Sequence, residues 1–199
     1  MRTVSLVALL SCTVLCACAA TTLPPGFARL ALTAPEDQGV RLQLAGDTIV
    51  GATVALGPGA LDARLRVVVD AVVPGTGVDN ATFIGREWGP RGEGYRVERT
   101  YGTGVAQQFR SVLVDRDGTV LERTHTLALA EVPPAVLAAA APIGVHDLQR
   151  LEIVSGPAVE ECYRLLLHDR AGRVFVVETS LQGVLLRSSR LLVATVAVR

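Results

Sequence analysis

Tyr95-Arg96-Val97-Glu98-Arg99-Thr100 alternates in character along the chain: Arg96 and Glu98 share one face, and Tyr95 and Val97 share the other. Successive side chains of a strand point to opposite faces, so this stretch predicts a strand with one charged and one apolar side. Arg110 alternates similarly on the next predicted strand, 107–114. Tyr163-Arg164-Leu165 repeats the pattern of Tyr95-Arg96-Val97 at a distance of 68 positions, and the turn glycines Gly118 and Gly183 lie 65 apart. A loop at Gly102-Thr103-Gly104 longer than its counterpart at Arg170-Ala171-Gly172 accounts for the slip. The matches define a repeat of about 70 residues, the size of a small domain and not of a solenoid unit.

Outward from these matches, each half of the chain shows the same succession. The first has strands over 82–88, 95–100, 107–114 and 119–127. The second has them over 148–154, 162–168, 174–179 and 184–198, the last bent or interrupted near Ser188-Ser189. A helical segment precedes each set. Leu61, Leu65, Val68, Val69, Val72 and Val73 recur at helical spacing, with Asp62, Arg66 and Asp70 on the other side. Five valines weaken that segment as a helix former, and a strand is the alternative. Val132-Pro133-Pro134 through Pro142 reads as a short helix with Pro in its first turn and a Pro stop. Ahead of both units, Val40 to Leu44, the turn Ala45-Gly46-Asp47 and Thr48 to Leu56 read as a hairpin. The expected fold class is therefore α+β: two tandem units, each a short helix packed on an antiparallel four-stranded sheet, preceded by a β-hairpin. The expected boundaries are 28–57 for the hairpin, 58–130 for the first unit and 131–199 for the second.

The chain has 199 residues, half of them hydrophobic, and 19 basic residues balance 19 acidic ones. Every basic residue is Arg, which reads first as a bias of GC-rich coding. Zero net charge argues against nucleic acid as a partner, because that interaction depends on a basic surface. Residues 4–14 form an apolar segment behind Arg2, too short to span a bilayer as a helix and of the length of a signal-peptide core. Leu15-Cys16-Ala17-Cys18 resembles a bacterial lipobox, which implies removal of 1–17, acylation of Cys18, and a tether over 18–27. Two alternatives remain open: a lipobox at Leu9-Leu10-Ser11-Cys12, and ordinary secretion after Ala17-Cys18-Ala19. After processing at Cys18, Cys162 is the one thiol left in the folded part. Beside the run Tyr163 to Leu167, it reads as a buried structural residue.

The succession of a short Pro-led helix, a strand, Tyr-Arg-Val and a Gly-turn hairpin resembles the PepSY-like domains of bacterial envelope proteins. The stretches that carry it are Glu131 to Val136 with Tyr163-Arg164-Leu165, and Tyr95-Arg96-Val97 with Val114-Asp115-Arg116-Asp117-Gly118-Thr119-Val120-Leu121. The tandem plan is also similar to that of beta-lactamase inhibitory proteins. The resemblance covers roughly residues 58–199 and rests on packing and turn positions. It implies a helix on one face of an antiparallel sheet and a non-enzymatic role in inhibition, binding or regulation, and transfers no functional residue.

Motifs for chemistry are missing from the sequence: no Gly-x-Ser-x-Gly, His-Glu-x-x-His or phosphate-binding Gly-rich loop, and no Cys-x-x-Cys after the signal segment. No catalytic residue, metal ligand or cofactor is therefore expected. His125 reads as a cross-strand contact and His146 as a loop residue. His168 beside Asp169 has the look of an Asp-oriented base, without a nucleophile in a suitable setting. Asp115-Arg116-Asp117-Gly118 has the opening carboxylates of a calcium loop but lacks the rest, and suits a hairpin turn better. Trp88, ahead of Gly89-Pro90-Arg91-Gly92-Glu93-Gly94, reads either as the end of the core or as a protein-contact anchor at a loop. The charged side carrying Arg96, Glu98 and Arg110 reads either as a solvated surface or as an open binding face. The function expected is that of a non-enzymatic envelope lipoprotein binding another envelope or extracellular protein through Trp88, Arg96, Glu98 and Arg110. A passive structural lipoprotein and, more remotely, a hydrolase are the alternatives.

Overall fold

The computed structural model describes Gly26, Phe27, Leu30 and residues 39–73, 83–101, 108–157 and 159–194. Cys18 and its tether, the Gly102-Thr103-Gly104 loop and residues 195–198 of the last predicted strand lie outside the described residues. The strands are β1 (Val40–Ala45), β2 (Thr48–Ala55), β3 (Phe83–Gly89), β4 (Gly92–Tyr101) and β5 (Gln108–Val114), then β6 (Val120–Thr126), β7 (Val145–Gly156), β8 (Val159–Asp169), β9 (Val174–Ser180) and β10 (Leu185–Ala194). Helix α1 (Ala63–Val72) lies between β2 and β3, and α2 (Pro134–Ala140) between β6 and β7.

These elements match the predicted ones closely, but the fold class does not follow. Each strand pairs antiparallel with its neighbours in sequence, and β10 pairs with β1, so the ten strands form one closed barrel. The two four-stranded sheets are not separate: β6 continues into β7 through pairs from Arg123↔Ser155 to Thr126↔Glu152. The N-terminal hairpin is not an appendage. It closes the wall between β10, through Val40↔Ala194 to Leu44↔Arg190, and β3, through Ala52↔Trp88 to Ala55↔Gly85. Closure pairs the edges that two open sheets would leave exposed. The last strand is continuous through Ser188-Ser189, its irregularity falling instead between Leu185 and Arg187. His146 belongs to β7 and not to a loop.

The helices settle on the outer wall because the apolar side of the alternation faces outward. On α1, Leu65 and Val69 pack with Leu61 and Val73 against Ile84, Val97, Val112 and Val114. On α2, Val136 and Ala140 pack with Val132 against Leu151, Leu165, Leu167 and Val177. A third cluster joins Phe27 to Val40, Leu42, Ala52 and Val54, with Trp88 at its margin. The valines of α1 form a helix despite modest propensity because burial of this face outweighs a few tenths of a kcal/mol per residue. Asp62 caps α1 by accepting from the Leu65 amide at 2.8 Å. At the other end the fully buried Arg99, on the outer side of β4, donates to the Val73 carbonyl and pairs with Asp70 at 2.6 Å. Gly118 and Gly183 each close a hairpin at φ +83°, under α1 and α2 respectively: Gly118 lies beside Val68, and a Cβ on Gly183 would meet the Ala135 carbonyl carbon at 2.6 Å.

The outer wall is not built to face lipid. Arg110, Arg123 and Arg190 stand exposed on it, and a charge at the bilayer midplane costs about 2–4 kcal/mol in a membrane barrel. No described helix is long and apolar enough to cross a membrane.

Arg99→Ala removes both ties at the C-terminal end of α1. The expected result is a loss of about 1–3 kcal/mol, with hydrogen-exchange protection falling across 65–72 while the amides of β7 and β8 keep theirs. Uniform loss of protection through the barrel would show that Arg99 holds more than the helix.

Candidate functional site: the charged lumen

With the apolar side outward, the charged side lines the lumen. All ten strands contribute to a cavity of about 560 Å³. An eight-stranded barrel can be filled by its own side chains, whereas ten strands leave room for a cavity. Among the described residues, six arginines (41, 91, 96, 150, 164 and 187) and five glutamates (87, 98, 122, 152 and 178) line it. The exposed Val193, the exposed Gln149 and half-buried Arg41 mark its mouth, and the fully buried Leu113, Val154 and Cys162 close the far end. Burial and the nearby Glu178 push the Cys162 thiol up, so it stays protonated and unreactive at neutral pH.

Glu122 is the hub of the ion pairs deep in the lumen, with no solvent exposure. Its Oε1 accepts from Arg96 at 2.7 Å and from Arg164 at 2.9 Å, and its Oε2 accepts from Arg164 at 2.8 Å. Arg91 approaches Oε2 at 3.3 Å. Arg96 also donates to both oxygens of Glu87, at 2.7 and 2.9 Å. Arg164 and Arg91 reach Glu178 at 2.7 and 3.0 Å. Burial works against the charge of Glu122, but Arg96 and Arg164 outweigh it and hold the carboxyl well below the usual carboxylate range. Burial likewise opposes the charge of Arg96 and Arg164, and the carboxylates around them together outweigh it: Glu122 and Glu87 for Arg96, and Glu122, Glu178 and Glu152 for Arg164. An ion buried without such partners would cost several kcal/mol.

The residues singled out from sequence do not share one surface: Arg96 and Glu98 line the lumen, and Trp88 and Arg110 lie on the outer wall. Arg96 is buried in this network, and Glu98 lies higher in the lumen beside Arg41. Arg110 points outward, its guanidinium 5.3 Å from the Tyr101 ring centre. Trp88 is half-buried on the outer wall, and the supposed loop after it is a tight hairpin joining β3 to β4. The open charged face predicted for β4 is instead enclosed. His168 lines the lumen, whereas Asp169 faces its own turn and accepts from the Ala171 and Arg173 amides, so no Asp-oriented base forms. The Arg173 amide is the first cause of a lowered Asp169 carboxyl. Asp115 likewise bonds the Asp117 and Thr119 amides, making a hairpin turn. Among the described residues no group of three His, Cys, Asp or Glu side chains is arranged to hold a metal ion.

Arg91, Glu122, Arg164 and Glu178 escaped the sequence reading as site residues. Arg164 carried a usable signal, since Tyr163-Arg164-Leu165 is the counterpart of Tyr95-Arg96-Val97. Glu122 and Glu178 sit at charged positions of alternating strands. Nothing local marks Arg91, whose turn folds its side chain back into the far end of the barrel.

No family model matches this sequence, and no curated protein matches it significantly. Among solved structures, a Bacteroides eggerthii protein provisionally described as periplasmic is similar at a TM-score of 0.47 and 17% identity, over 66% of this chain and 90% of that one. That likeness is too remote to carry fold or function to this chain.

Folded Glu122 holds its proton more weakly than unfolded Glu122, so the unfolded chain takes up the extra proton as pH falls. The stability that this pairing supplies is complete above about pH 5 and declines as pH drops toward the folded value. Glu122→Gln leaves Arg96 and Arg164 short of a buried counter-charge. It is expected to cost about 3–5 kcal/mol at pH 7 and to flatten the acid-side loss of stability. Urea unfolding of both proteins at pH 7 and at intervals down to about pH 3 checks this; identical pH slopes would place the acid sensitivity elsewhere.

Proposed function

We propose that this protein is a non-enzymatic binding protein of the bacterial cell envelope, anchored by an acylated Cys18, whose barrel lumen takes a small ligand. One observation carries the binding reading: a cavity of about 560 Å³, open at one end, with charged groups fixed in place by one another. Pairing of that kind presents fixed donors that need little reordering when a ligand arrives. The non-enzymatic reading draws support from the same pairing. Glu122 is held in its charged form by two arginines and is a poor proton acceptor near neutral pH. The lipobox-like Leu15-Cys16-Ala17-Cys18 supports the anchor. Because Arg96 and Glu98 line the enclosed lumen while Trp88 and Arg110 lie on the outer wall, binding is assigned to the lumen and not to an open sheet face.

The test is mass spectrometry of the protein recovered from its native membrane fraction. Under denaturing conditions the expected chain starts at Cys18 and carries added acyl mass; under native conditions it carries one further small molecule that denaturation releases. A chain starting near Ala20 without lipid would replace anchoring by secretion. A chain that carries no such molecule, and whose melting temperature no panel of organic acids, sugars and amines raises, would overturn the binding reading.

A further inference from the structure

Among the described residues the charges lining the lumen do not cancel, six arginines standing against five glutamates, and the excess falls at one place. Arg41 faces Glu98 at 3.7 Å, and Arg150 meets Glu152 at 2.8 Å. Deeper in, Arg91, Arg96 and Arg164 are matched by Glu87, Glu122 and Glu178 through the contacts above. Arg187 is left over. Its contact is with Glu178 at 3.7 Å, and that carboxylate already accepts from Arg91 and Arg164. Arg187 is also about one-third exposed, unlike the guanidinium groups locked around Glu122.

The wall directly above Arg187 is of a different kind. The register places Val176 opposite Ser189 and Leu166, and Val174 opposite Leu191 and His168. Leu166, Val174, Val176, Leu191 and Val193 therefore form an aliphatic strip over β8, β9 and β10, running from the level of Arg187 to the mouth. From Arg187 to Val193 along β10 is about 20 Å at the rise of an extended strand. On the other side, Phe83 and Phe109 lie under the guanidinium groups of Arg41 and Arg150, at 4.0 and 4.6 Å.

We propose that the lumen binds an aliphatic monocarboxylate, its carboxylate on Arg187 and its chain along the strip of β8–β10. This deepens the reading of the lumen as a binding site and rests on it. A carboxylate neutralises the surplus cation and takes a forked pair of hydrogen bonds from its guanidinium, while the chain removes aliphatic wall from water. A neutral chain leaves Arg187 uncompensated, and a small acid without a chain leaves the strip wet.

The test is calorimetric titration of the mature protein with decanoate, decan-1-ol and acetate. Decanoate is expected to bind at least tenfold more tightly than either of the others and to raise the melting temperature. Arg187→Gln is expected to weaken decanoate at least tenfold and to leave decan-1-ol unchanged, and Leu191→Asn to weaken both. Should Arg187→Gln fail to fold, the decanoate-to-decanol ratio of the unaltered protein decides. Equal affinity for decanoate and decan-1-ol, or decanoate binding indifferent to Arg187, overturns the proposal. Failure of decanoate alongside retention of a sugar, an amine or another acid also overturns it, while the lumen remains a binding site; failure of every small molecule takes both.

Discussion

Glu122 sits deep in the barrel lumen out of reach of water, and arginines from three places in the chain converge on it: Arg91 from the β3–β4 turn, Arg96 from β4 and Arg164 from β8. That convergence constrains everything around it. A carboxylate so buried stays charged only while its arginines stay in place. Those arginines come from both halves of the chain, so β4 and β8 must face one another across a closed wall. Glu87 and Glu178 extend the pairing to the hairpin partners of the same strands, which ties the barrel across its interior as the backbone ladder ties it around its circumference.

This lattice inverts the usual distribution of a small β-barrel. Three hydrophobic clusters, under α1, α2 and Phe27, lie on the outside, and the ion-paired network lies within, above a smaller cluster of Val154, Val159 and Cys162 at the far end. The helices therefore act as covers for the outer wall and leave the lumen free. Net charge conceals the arrangement, since 19 positive and 19 negative residues cancel over the whole chain while the described residues of the lumen carry a small positive excess. An all-Arg basic complement suits such a site, because guanidinium groups keep their charge on burial and bridge two carboxylates at once, as Arg96 and Arg164 do.

Much of the local structure was legible. The hairpin at 40–55, both helices and the strands of each half follow from alternation, helical spacing, and Gly and Pro signals, all of them short-range. The division of β4 into a charged and an apolar face was equally legible. What could not be read was the closing of the sheet. Antiparallel strands joined by short turns are compatible with two four-stranded sheets or one barrel, and the deciding pairs, β6 with β7 and β10 with β1, are neighbour choices that no local pattern encodes. A similar limit applied to the site. Alternation puts Arg96 and Glu98 on one face, but whether that face meets water or encloses a cavity depends on the curvature of the whole wall. Arg91 had no local mark at all, because its role comes from where its turn happens to point.

The sequence by itself determined most of the strands, the Pro-led helix, the charged face of β4, and the turns at Gly46, Gly118 and Gly183, since these depend on contacts within a few residues. Only the tertiary structure decided that the charged faces look inward, that His168 and Asp169 part company across a strand, and that among the described residues Arg187 shares its one carboxylate with two other arginines. The physical reason is that charge balance in a barrel is settled among side chains drawn from all ten strands, and their distances exist only once the last strand has paired with the first.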